Sequence, residues 1–471
     1  MADMRIVVVL LLVLAIVAGG AWFVAGREGP PVIAIEKPDR FLGRTGEVDV
    51  LVTVPGGALS ELNVQLEQEG RVTPLFAVGQ GDTSALTQEA ADRVRVTRAV
   101  TRRDVPGLKS GPARITVTAA RTVLSGWRTL ASSASKDVQV RLEPPRVAVV
   151  STHHFVNHGG AEMVVYRTSP AEVRSGVRVG DVTYRGYPLS GAGVSADPSL
   201  KLAFFAILFD QDLNTPVQVF AEDEAGNRAS TPLDAKVFAK SFRRSRIQLS
   251  DGFLQRVVPA ILENTPDFTV EDPADLLQSY LRINGDLRRL NAATIAGFAK
   301  ESAPEMLWRG AFEQLGNSSV ESLFADHRTY MYDGREVDQQ VHLGFDLAVT
   351  ASVPIRAANR GRVMNAGYLG IYGNCVILDH GLGVQSLYAH LSSIDVSPGD
   401  MVEKGGVLGR SGTTGLAGGD HLHFTMLVNG IPVNAVEWWD AHWMEDRVAR
   451  KIREAAPSAG GTPVVEATAA Q

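Results

Sequence analysis

Histidine and aspartate side chains recur in three short segments toward the C-terminal end of the sequence. HLGFDLAV contains His342 and Asp346, SLYAHL contains His390, and HLHF contains His421 and His423. Imidazole nitrogens and carboxylate oxygens bind zinc, and three such ligands leave a fourth position open for water. The pattern therefore predicts a catalytic zinc site in which His342, Asp346 and one histidine of the HLH pair are the ligands.

Strand periodicity is what would bring these side chains together. Residues two apart on a strand share a face, so alternation along HLGFDLAV places His342 and Asp346 on one face with a glycine between them. The same period places His421 and His423 together. Zinc lowers the pKa of bound water to about 7. The histidines that are not ligands, His390 among them, could then serve as general base and as stabiliser of the oxyanion.

Residues 325–437 resemble the lysostaphin-type (LytM-like) zinc endopeptidases, which cut cell-wall peptidoglycan. The resemblance rests on HLGFD, GNCVILDHGLG, YAHLSSIDVSPGDMVEKGGVLGRSGTTG and GGDHLHF. It implies the duplicated hybrid motif fold, zinc bound by His342, Asp346 and His423, and acid/base and oxyanion roles for His390 and His421. All five positions conform to the family pattern, and this intact set indicates an active enzyme.

The composition limits the alternatives. The chain has 471 residues, a single cysteine and 46 basic against 52 acidic residues. One cysteine, Cys375, excludes an intrachain disulfide and a cysteine-based zinc cluster, and we interpret it as a small buried apolar residue. The acidic balance gives no electrostatic reason to expect nucleic-acid binding. The HHxxxH segment that begins at His153 has no carboxylate motif beside it, which favours a surface or loop role over metal binding.

The pattern of the whole chain predicts a mainly β protein with a glycine-dense C-terminal region. Alternating β-branched segments indicate sandwich-like modules, and apolar residues at helical spacing indicate a helical connector. Sixteen of the 46 glycines lie between Gly344 and Gly430, as expected for tight turns between antiparallel strands. The predicted parts are a transmembrane anchor (6–26), a β-sandwich-like domain (32–143), a second one (144–240), a helical connector (241–305), a lysostaphin-type antiparallel β catalytic domain (306–437), and a C-terminal helix with a disordered tail (438–471).

Residues 6–26 form an uncharged apolar run. A helix of this length spans about 31 Å, enough for one crossing of the hydrocarbon core. A cleaved signal peptide is the alternative, but its apolar region usually has about 7–15 residues, so an uncleaved anchor is favoured. We therefore expect a single-pass protein of the inner (cytoplasmic) membrane, with most of the chain in the periplasm or extracytoplasmic space.

Three functional hypotheses follow from the sequence. The first is a membrane-anchored zinc metalloendopeptidase that hydrolyses peptide bonds of peptidoglycan. The second is a non-catalytic wall-binding module, or a regulator that activates other wall hydrolases, because a long region lies outside the resemblance. The third is that the β modules direct the enzyme against a protein. The expected partners are peptidoglycan peptides, the membrane and protein partners of the β modules, without nucleic acid.

Overall fold

The computed structural model of the chain describes residues 2–26, 29–56, 59–79, 83–123 and 126–457. Strands account for 45% and helices for 19%, which confirms the prediction of a mainly β protein. The chain divides into two compact units. Unit 1 comprises Met1–Pro145 and Glu222–Arg228, and unit 2 comprises Arg146–Ala221 and Ala229–Gln471. The predicted disordered tail falls mostly on residues 458–471, which lie outside the described residues.

The first element is helix α1 (Ala2–Gly26). Large apolar side chains along it, such as Leu10, Leu14 and Ile16, are exposed. Among the residues that the structure describes, no helix combines the length and the apolar composition of a membrane span. The structure therefore does not support the transmembrane anchor predicted for residues 6–26.

The rest of unit 1 is a pair of antiparallel-rich sheets around one core. Within the described residues, the sheet orders are β1-β3-β7-β6 and β2-β9-β8-β4-β5. Alternate valine, leucine and isoleucine side chains of β3, β4 and β8 share the same buried cluster, so the two sheets form a sandwich. The strands are β1 (Val32–Lys37), β2 (Phe41–Leu42), β3 (Gly46–Thr53), β4 (Glu61–Gln68), β5 (Arg71–Ala77), β6 (Leu86–Ala90), β7 (Arg93–Val100), β8 (Gly111–Val123) and β9 (Arg128–Val140).

A second set of strands occupies residues 146–238. Sheets of order β10-β12-β16-β15 and β14-β13-β17-β18 are accompanied by the parallel pair β11-β19. The strands are β10 (Arg146–Val149), β11 (His154–Asn157), β12 (Ala161–Ser169), β13 (Arg174–Val179), β14 (Val182–Arg185), β15 (Tyr187–Pro188), β16 (Leu200–Ala206), β17 (Val217–Glu222), β18 (Arg228–Pro232) and β19 (Ala235–Phe238). We call residues 146–221 and 229–238, which belong to unit 2, the β module.

The predicted helical connector begins with a strand, β20 (Arg244–Gln248), and continues with α2 (Asp251–Glu263), α3 (Leu276–Arg282) and α4 (Arg288–Phe298). The Asp275 side chain accepts the Gln278 N–H, so α3 starts at Leu276. A π-helical turn, Ile283–Leu287, joins α3 to α4. This turn shifts the phase of the helix, so residues on the two sides of it no longer follow a 3.6-residue repeat.

The C-terminal region contains one large sheet of order β21-β24-β32-β28-β27-β26-β30, with β33 beside β32, and two small ones, β20-β22-β23 and β25-β31-β29. The strands are β21 (Ser319–Ser322), β22 (Asp326–Tyr332), β23 (Arg335–His342), β24 (Phe345–Ala348), β25 (Pro354–Arg356), β26 (Gly361–Tyr368), β27 (Asn374–Gly381), β28 (Val384–Leu391), β29 (Ser393–Ile394), β30 (Met401–Val402), β31 (Val407–Arg410), β32 (His421–Val428) and β33 (Ile431–Val433), followed by α5 (Val436–Trp439), α6 (Ala441–Met444) and α7 (Arg450–Ala455).

One apolar core runs through unit 2, from the β module to the last helix. Phe204 of β16 contacts Trp308 and Trp438, with ring centroids 6.4 and 5.6 Å apart respectively. The two tryptophans also contact each other at 6.1 Å. The large sheet that carries the histidines is therefore held by the same core as the β module. Cys375 is buried in β27, and burial raises the pKa of its thiol.

Candidate metal centre

The five predicted site residues lie on four strands of the C-terminal region. Strand β32 provides His421 and His423, β28 provides His390, and Asp346 of β24 lies directly opposite His423 in the antiparallel ladder. His342 is the last residue of β23, which belongs to a different sheet from β24. HLGFDLAV is thus two strands rather than the single one that the sequence predicts, and the chain passes between sheets at Leu343 and Gly344.

Three of these side chains converge on one point. His342 Nε2 lies 2.9 Å and His423 Nδ1 lies 3.0 Å from Asp346 Oδ1. The two imidazole nitrogens are 3.0 Å apart. All three side chains are largely buried, and their ligand atoms form a group that could hold a metal ion. The structure thus brings together the three predicted ligands.

Hydrogen bonds on the far side of each ring determine which nitrogen faces this point. His342 Nδ1–H donates to the Leu323 carbonyl at 3.1 Å. The Thr425 hydroxyl donates to the Leu343 carbonyl, so its oxygen accepts from His423 Nε2–H, at 3.0 Å. In the neutral imidazoles, the lone pairs of His342 Nε2 and His423 Nδ1 are therefore directed at Asp346 Oδ1. With both rings neutral, two imidazole nitrogens and one carboxylate oxygen face one point, and this donor set suits zinc.

Glycine is required where the chain crosses between the two sheets. A Cβ atom on Gly344 would lie 2.6 Å from both Cε1 and Nε2 of His423 and 2.6 Å from Thr425 Oγ1. Any side chain at this position would therefore displace the imidazole of His423 or break its bond to Thr425. The glycine in HLGFD leaves the room that the predicted ligand needs.

The other two histidines stand beside the cluster. His390 Nδ1–H donates to the Thr414 carbonyl and His421 Nδ1–H to the Gly419 carbonyl, both at 2.8 Å. His421 Nε2 lies 3.5 Å from Asp346 Oδ1, and the two rings have centroids 4.9 Å apart. The backbone of His390 has φ +63°, a conformation that costs free energy and is found preferentially at functional sites. Each ring keeps one nitrogen, Nε2, free of a backbone partner.

Burial and mutual contacts separate the pKa values of these groups. Burial alone would raise the pKa of Asp346, but the charge and hydrogen bond of His342, followed by hydrogen bonds from His421 and His423, hold it well below its usual value. Burial lowers the pKa of His423 to about 4 and lowers that of His390 well below normal. Burial also acts to lower the pKa of His421, but the hydrogen bond and charge of Asp346 outweigh it and raise that pKa. These directions favour an ionised Asp346 carboxylate and neutral rings at His423 and His390, and a neutral His423 is the form that binds a metal.

Arg328 is a site residue that sequence reasoning missed. Its Nη2 donates to Asp346 Oδ2 at 2.8 Å and to Ser322 Oγ at 2.7 Å, so one carboxylate oxygen is held while the other faces the histidines. A signal was present in the sequence, because Asp333-Gly334 is typical of a β-hairpin turn and lies just before the first predicted ligand. Pairing of β22 with β23 places Arg328 opposite Gln340, two residues from the pair of Asp326 with His342 and hence on the same face.

A cavity of about 110 Å³ lies against the cluster. It is lined by Arg288, Arg328, His342, Asp346, Ile371, Tyr372, His390, Leu416, Gly418, His421 and His423. Tyr372, whose ring centroid is 5.6 Å from that of His423, and Arg288 were also not predicted. No local signal identifies them, because the first lies in a short turn and the second on a helix more than 50 residues before the first ligand.

Comparison with known proteins agrees with this geometry. Residues 340–435 match the model of peptidase family M23, and this part of the chain is a domain of that metallopeptidase family. Metallopeptidases of this family are zinc-dependent, in agreement with the donor set of the cluster. The resemblance to lysostaphin-type enzymes is therefore confirmed.

Named relatives match about a fifth of the chain. The DD-carboxypeptidase/endopeptidase Mpg of Neisseria meningitidis serogroup B is 42% identical over 97 residues, which are 21% of this chain and 22% of the relative. The peptidoglycan DD-endopeptidase ShyA of Vibrio cholerae is 38% identical over 96 residues, 20% of this chain and 22% of the relative. The match thus spans about a fifth of the length of these curated relatives.

Two solved structures are also similar. A putative M23 peptidase from Pseudomonas aeruginosa is 20% identical, covers 60% of this chain and 94% of that chain, and gives a TM-score of 0.37. The catalytic domain of lysostaphin from Staphylococcus simulans is 27% identical, covers 27% of this chain and 95% of that chain, and gives a TM-score of 0.23.

Proposed function

We propose that this chain is a zinc metalloendopeptidase that hydrolyses peptide bonds of peptidoglycan. The observation that carries the proposal is the convergence of His342 Nε2, His423 Nδ1 and Asp346 Oδ1, with His390 and His421 beside them. The M23 match over residues 340–435 and the names of the Neisseria and Vibrio relatives support the reaction and the substrate class.

In the proposed reaction, His342, Asp346 and His423 would hold the metal ion, while Arg328 donates a hydrogen bond to the second oxygen of Asp346. Zinc, when bound, polarises the scissile carbonyl and makes water a stronger nucleophile. Either His390 or His421 accepts the proton of the attacking water at Nε2, because Nδ1 of each ring already donates to a carbonyl. The other ring, protonated at Nε2 as well, donates that N–H to the oxyanion of the tetrahedral intermediate, and the ring that accepted the proton of water passes it to the leaving amine.

The test uses the full chain, purified in detergent and loaded with zinc, on isolated peptidoglycan, with released muropeptides identified by mass spectrometry. We expect cleaved peptide cross-links with the wild type, none with His342→Ala, and normal cleavage with His158→Ala, whose ring donates to the Gln211 carbonyl in the β module. Equal cleavage by His342→Ala would exclude the mechanism. Zinc-loaded protein that cleaves nothing but activates a wall amidase would favour the regulatory alternative, and cleavage of glycine-rich peptides without cleavage of the wall would favour a protein substrate.

We further propose that the chain acts outside the cytoplasm and is retained at the inner membrane by residues 6–26. This proposal rests on the uncharged apolar run in the sequence and on a substrate class that lies outside the cytoplasmic membrane. We expect the full chain to sediment with membranes and to resist extraction at alkaline pH. A variant with Leu11→Arg and Leu14→Arg should lose membrane retention, because charges in a span are costly. Full recovery of wild-type chain in the soluble fraction would exclude an uncleaved anchor.

A further inference from the structure

We call His342, Asp346 and His423 the metal cluster. One wall of the cavity beside it is formed by residues outside the M23 match. The π-helical turn Ile283–Leu287 and the first residue of α4, Arg288, precede residue 340 by more than 50 residues. Arg288 nevertheless lines the same cavity as the ligands. π-Turns of this kind occur frequently at functional sites, since they redirect side chains that a regular helix would place elsewhere.

The guanidinium of Arg288 is held in place by a buried amide. Its Nε–H donates to the Asn284 carbonyl at 2.9 Å and its Nη2 to Asn284 Oδ1 at 2.5 Å. Asn284 has no exposed surface, and its own amide donates to Asp338 Oδ2 at 2.7 Å. Arg288 is thus positioned before any ligand binds, so little conformational entropy is lost when it forms a new contact.

The positive charge of Arg288 has no counterpart in the described part of the chain, where no carboxylate lies within ion-pair distance of it. The arginines on either side along the same helix differ: Arg282 and Arg289 both pair with Asp286. Inside the cavity, Arg328 is already engaged with Asp346 at 2.8 Å. The two N–H groups of Arg288 Nη1 and one of Nη2 are therefore available to an anion in the cavity.

The surroundings favour a small anionic group over a long peptide. Ile371 and Leu416 line the same cavity as Arg288, and apolar walls strengthen an ion pair by excluding water. The volume of about 110 Å³ is well below the roughly 300–1,000 Å³ of pockets that enclose drug-sized ligands. A carboxylate is the group in peptides that matches a guanidinium edge with two parallel hydrogen bonds.

We propose that Arg288 is a specificity residue that binds a free carboxylate of the substrate close to the scissile bond. The inference rests on the proposed peptidase function and specifies its substrate class. The residue beside the bond that is cut either has a free terminal carboxylate or carries an acidic side chain. The selecting group belongs to the helical connector rather than to the M23 domain, so this preference is a property of the whole of unit 2.

The first test measures kcat/KM of the zinc-loaded full chain on three peptides with the same scissile bond. One has a free terminal carboxylate, one a terminal amide, and one a terminal amide with an acidic side chain at the same residue. We expect a preference of about 10- to 100-fold for at least one carboxylate peptide over the neutral amide, as charge-assisted hydrogen bonds give. The peptide that is preferred identifies the source of the carboxylate.

Variants link this preference to the proposed residue. Arg288→Ala should lose the preference, so that kcat/KM for the carboxylate peptides falls to the value for the neutral amide measured with the same variant, and Arg288→Lys should keep part of the preference. Arg289→Ala is the matched control, because Arg289 is exposed and pairs with Asp286, and it should behave like the wild type. A preference that survives in Arg288→Ala, or that is absent from the wild type, would overturn the proposal.

Calorimetric binding of non-cleavable analogues, with a CH₂–NH group at the scissile bond, separates this proposal from the peptidase proposal. The carboxylate analogue should bind the wild type and Arg289→Ala about 10-fold more tightly than the amide analogue, and Arg288→Ala should bind both alike. Such selectivity without hydrolysis of any peptide would support the carboxylate-binding role of Arg288 and refute the peptidase proposal. Hydrolysis without a binding selectivity that depends on Arg288 would support the peptidase proposal and refute the role of Arg288.

Discussion

Two buried clusters of polar side chains in unit 2 both contain carboxylates and differ in how hydrogen-bond donors and acceptors are balanced. In the metal cluster, His342, His423 and Asp346 direct three acceptors at one point. The other cluster, which we call the Glu162 cluster, consists of Asn157, Glu162, Glu437 and Lys451, next to the HHxxxH segment that begins at His153. Both clusters contain carboxylates that are hidden from water.

In the Glu162 cluster the acceptors are matched by donors. Glu162 Oε1 accepts from Lys451 Nζ at 2.8 Å, and Oε2 accepts from the Phe155 N–H at 3.0 Å. Glu437 accepts from Asn157 Nδ2 at 2.7 Å and from the Ala161 N–H at 2.8 Å. Buried carboxylates satisfied in this way stabilise a packing arrangement and leave no lone pairs directed at a ligand.

Each of the nearby histidines likewise has its own hydrogen-bond partner. His154 is hydrogen-bonded to Ser151 Oγ at 2.9 Å, His153 to Thr152 Oγ1 at 2.8 Å, and His158 donates to a backbone carbonyl. Histidine spacing alone therefore does not make a metal site. In the metal cluster, by contrast, one backbone carbonyl and one threonine occupy the outer nitrogens of His342 and His423, so that the two inner nitrogens face each other.

The largest expected effect comes from removing an inner acceptor of the metal cluster. Asp346→Ala or His423→Ala should reduce bound zinc from about one ion per chain to none and peptide hydrolysis by at least ~10³-fold, because the metal supplies several kcal/mol of transition-state stabilisation. His154→Ala, in the other region, should leave both unchanged. Zinc by plasma mass spectrometry and hydrolysis assays measure the two quantities; zinc retained in Asp346→Ala would contradict the assignment.

The Glu162 cluster should instead affect how the free energy of unfolding depends on pH. Burial raises the pKa of Glu437 to about 7 from its ordinary 4.5. The folded state thus binds the proton more tightly than the unfolded state, and the free energy of unfolding falls as pH rises between these values, by about 3 kcal/mol from this group. Glu437→Gln should lose that part of the slope.

Urea denaturation at pH 5 and pH 8 measures the slope. Glu454→Gln is the control, because Glu454 is exposed, and it should keep the slope of the wild type. A slope in Glu437→Gln as steep as that of the wild type would show that Glu437 is ionised in the folded protein throughout this range.

A smaller effect on the metal cluster is expected from the residue behind Asp346. Arg328→Ala should weaken zinc binding about 10- to 100-fold, since it frees Asp346 Oδ2 and leaves a buried carboxylate without its second partner. Arg335→Ala, at the exposed end of the same hairpin, should bind zinc normally. Competition with a chelator of known affinity gives the dissociation constants, and equal values for the two variants would make Arg328 irrelevant to the site.

The smallest effect concerns the outer nitrogen of His423. Thr425→Val removes the oxygen that accepts its Nε2–H, at nearly constant side-chain volume. We expect zinc affinity to fall about 10-fold, the low end of the range for such second partners, with the fold intact. Thr294→Val on the surface of α4 is the matched control, and chelator competition again measures the difference. An unchanged affinity in Thr425→Val would mean that Thr425 does not orient His423.

These comparisons indicate what the sequence could reveal about the site. Two-residue periodicity and the family motifs predicted His342, Asp346, His390, His421 and His423 as site residues, and the structure places these five side chains close together, because strand alternation is a local property. They did not reveal that β23 ends at His342 and that the chain then changes sheets. The chain passes from one sheet to the other at Leu343 and Gly344. The close approach of His423 explains why residue 344 is a glycine, but this contact is visible only in the folded structure.

Residues brought in by packing were beyond local reasoning. Arg288 reaches the cavity through a π-helical turn, and no residue pattern in 272–302 distinguishes such a turn from a continuous helix. Mainly β architecture was predictable from composition and alternation, whereas the boundaries of the predicted domains stay predictions. The anchor at residues 6–26 was inferred from hydropathy alone and is not supported by the described helices.

The contact of Phe204 with Trp308 and Trp438 limits how this part of the chain can be rearranged during evolution. Strands of the β module and of the large sheet bury their apolar faces in one core. Each face is covered by the other, so it would be exposed to water if the other were removed. A recombination event that transferred residues 340–435 alone would expose that core. The M23 domain of this protein is therefore expected to be inherited together with its β module, and substitutions at Phe204 and Trp438 to be correlated among its descendants.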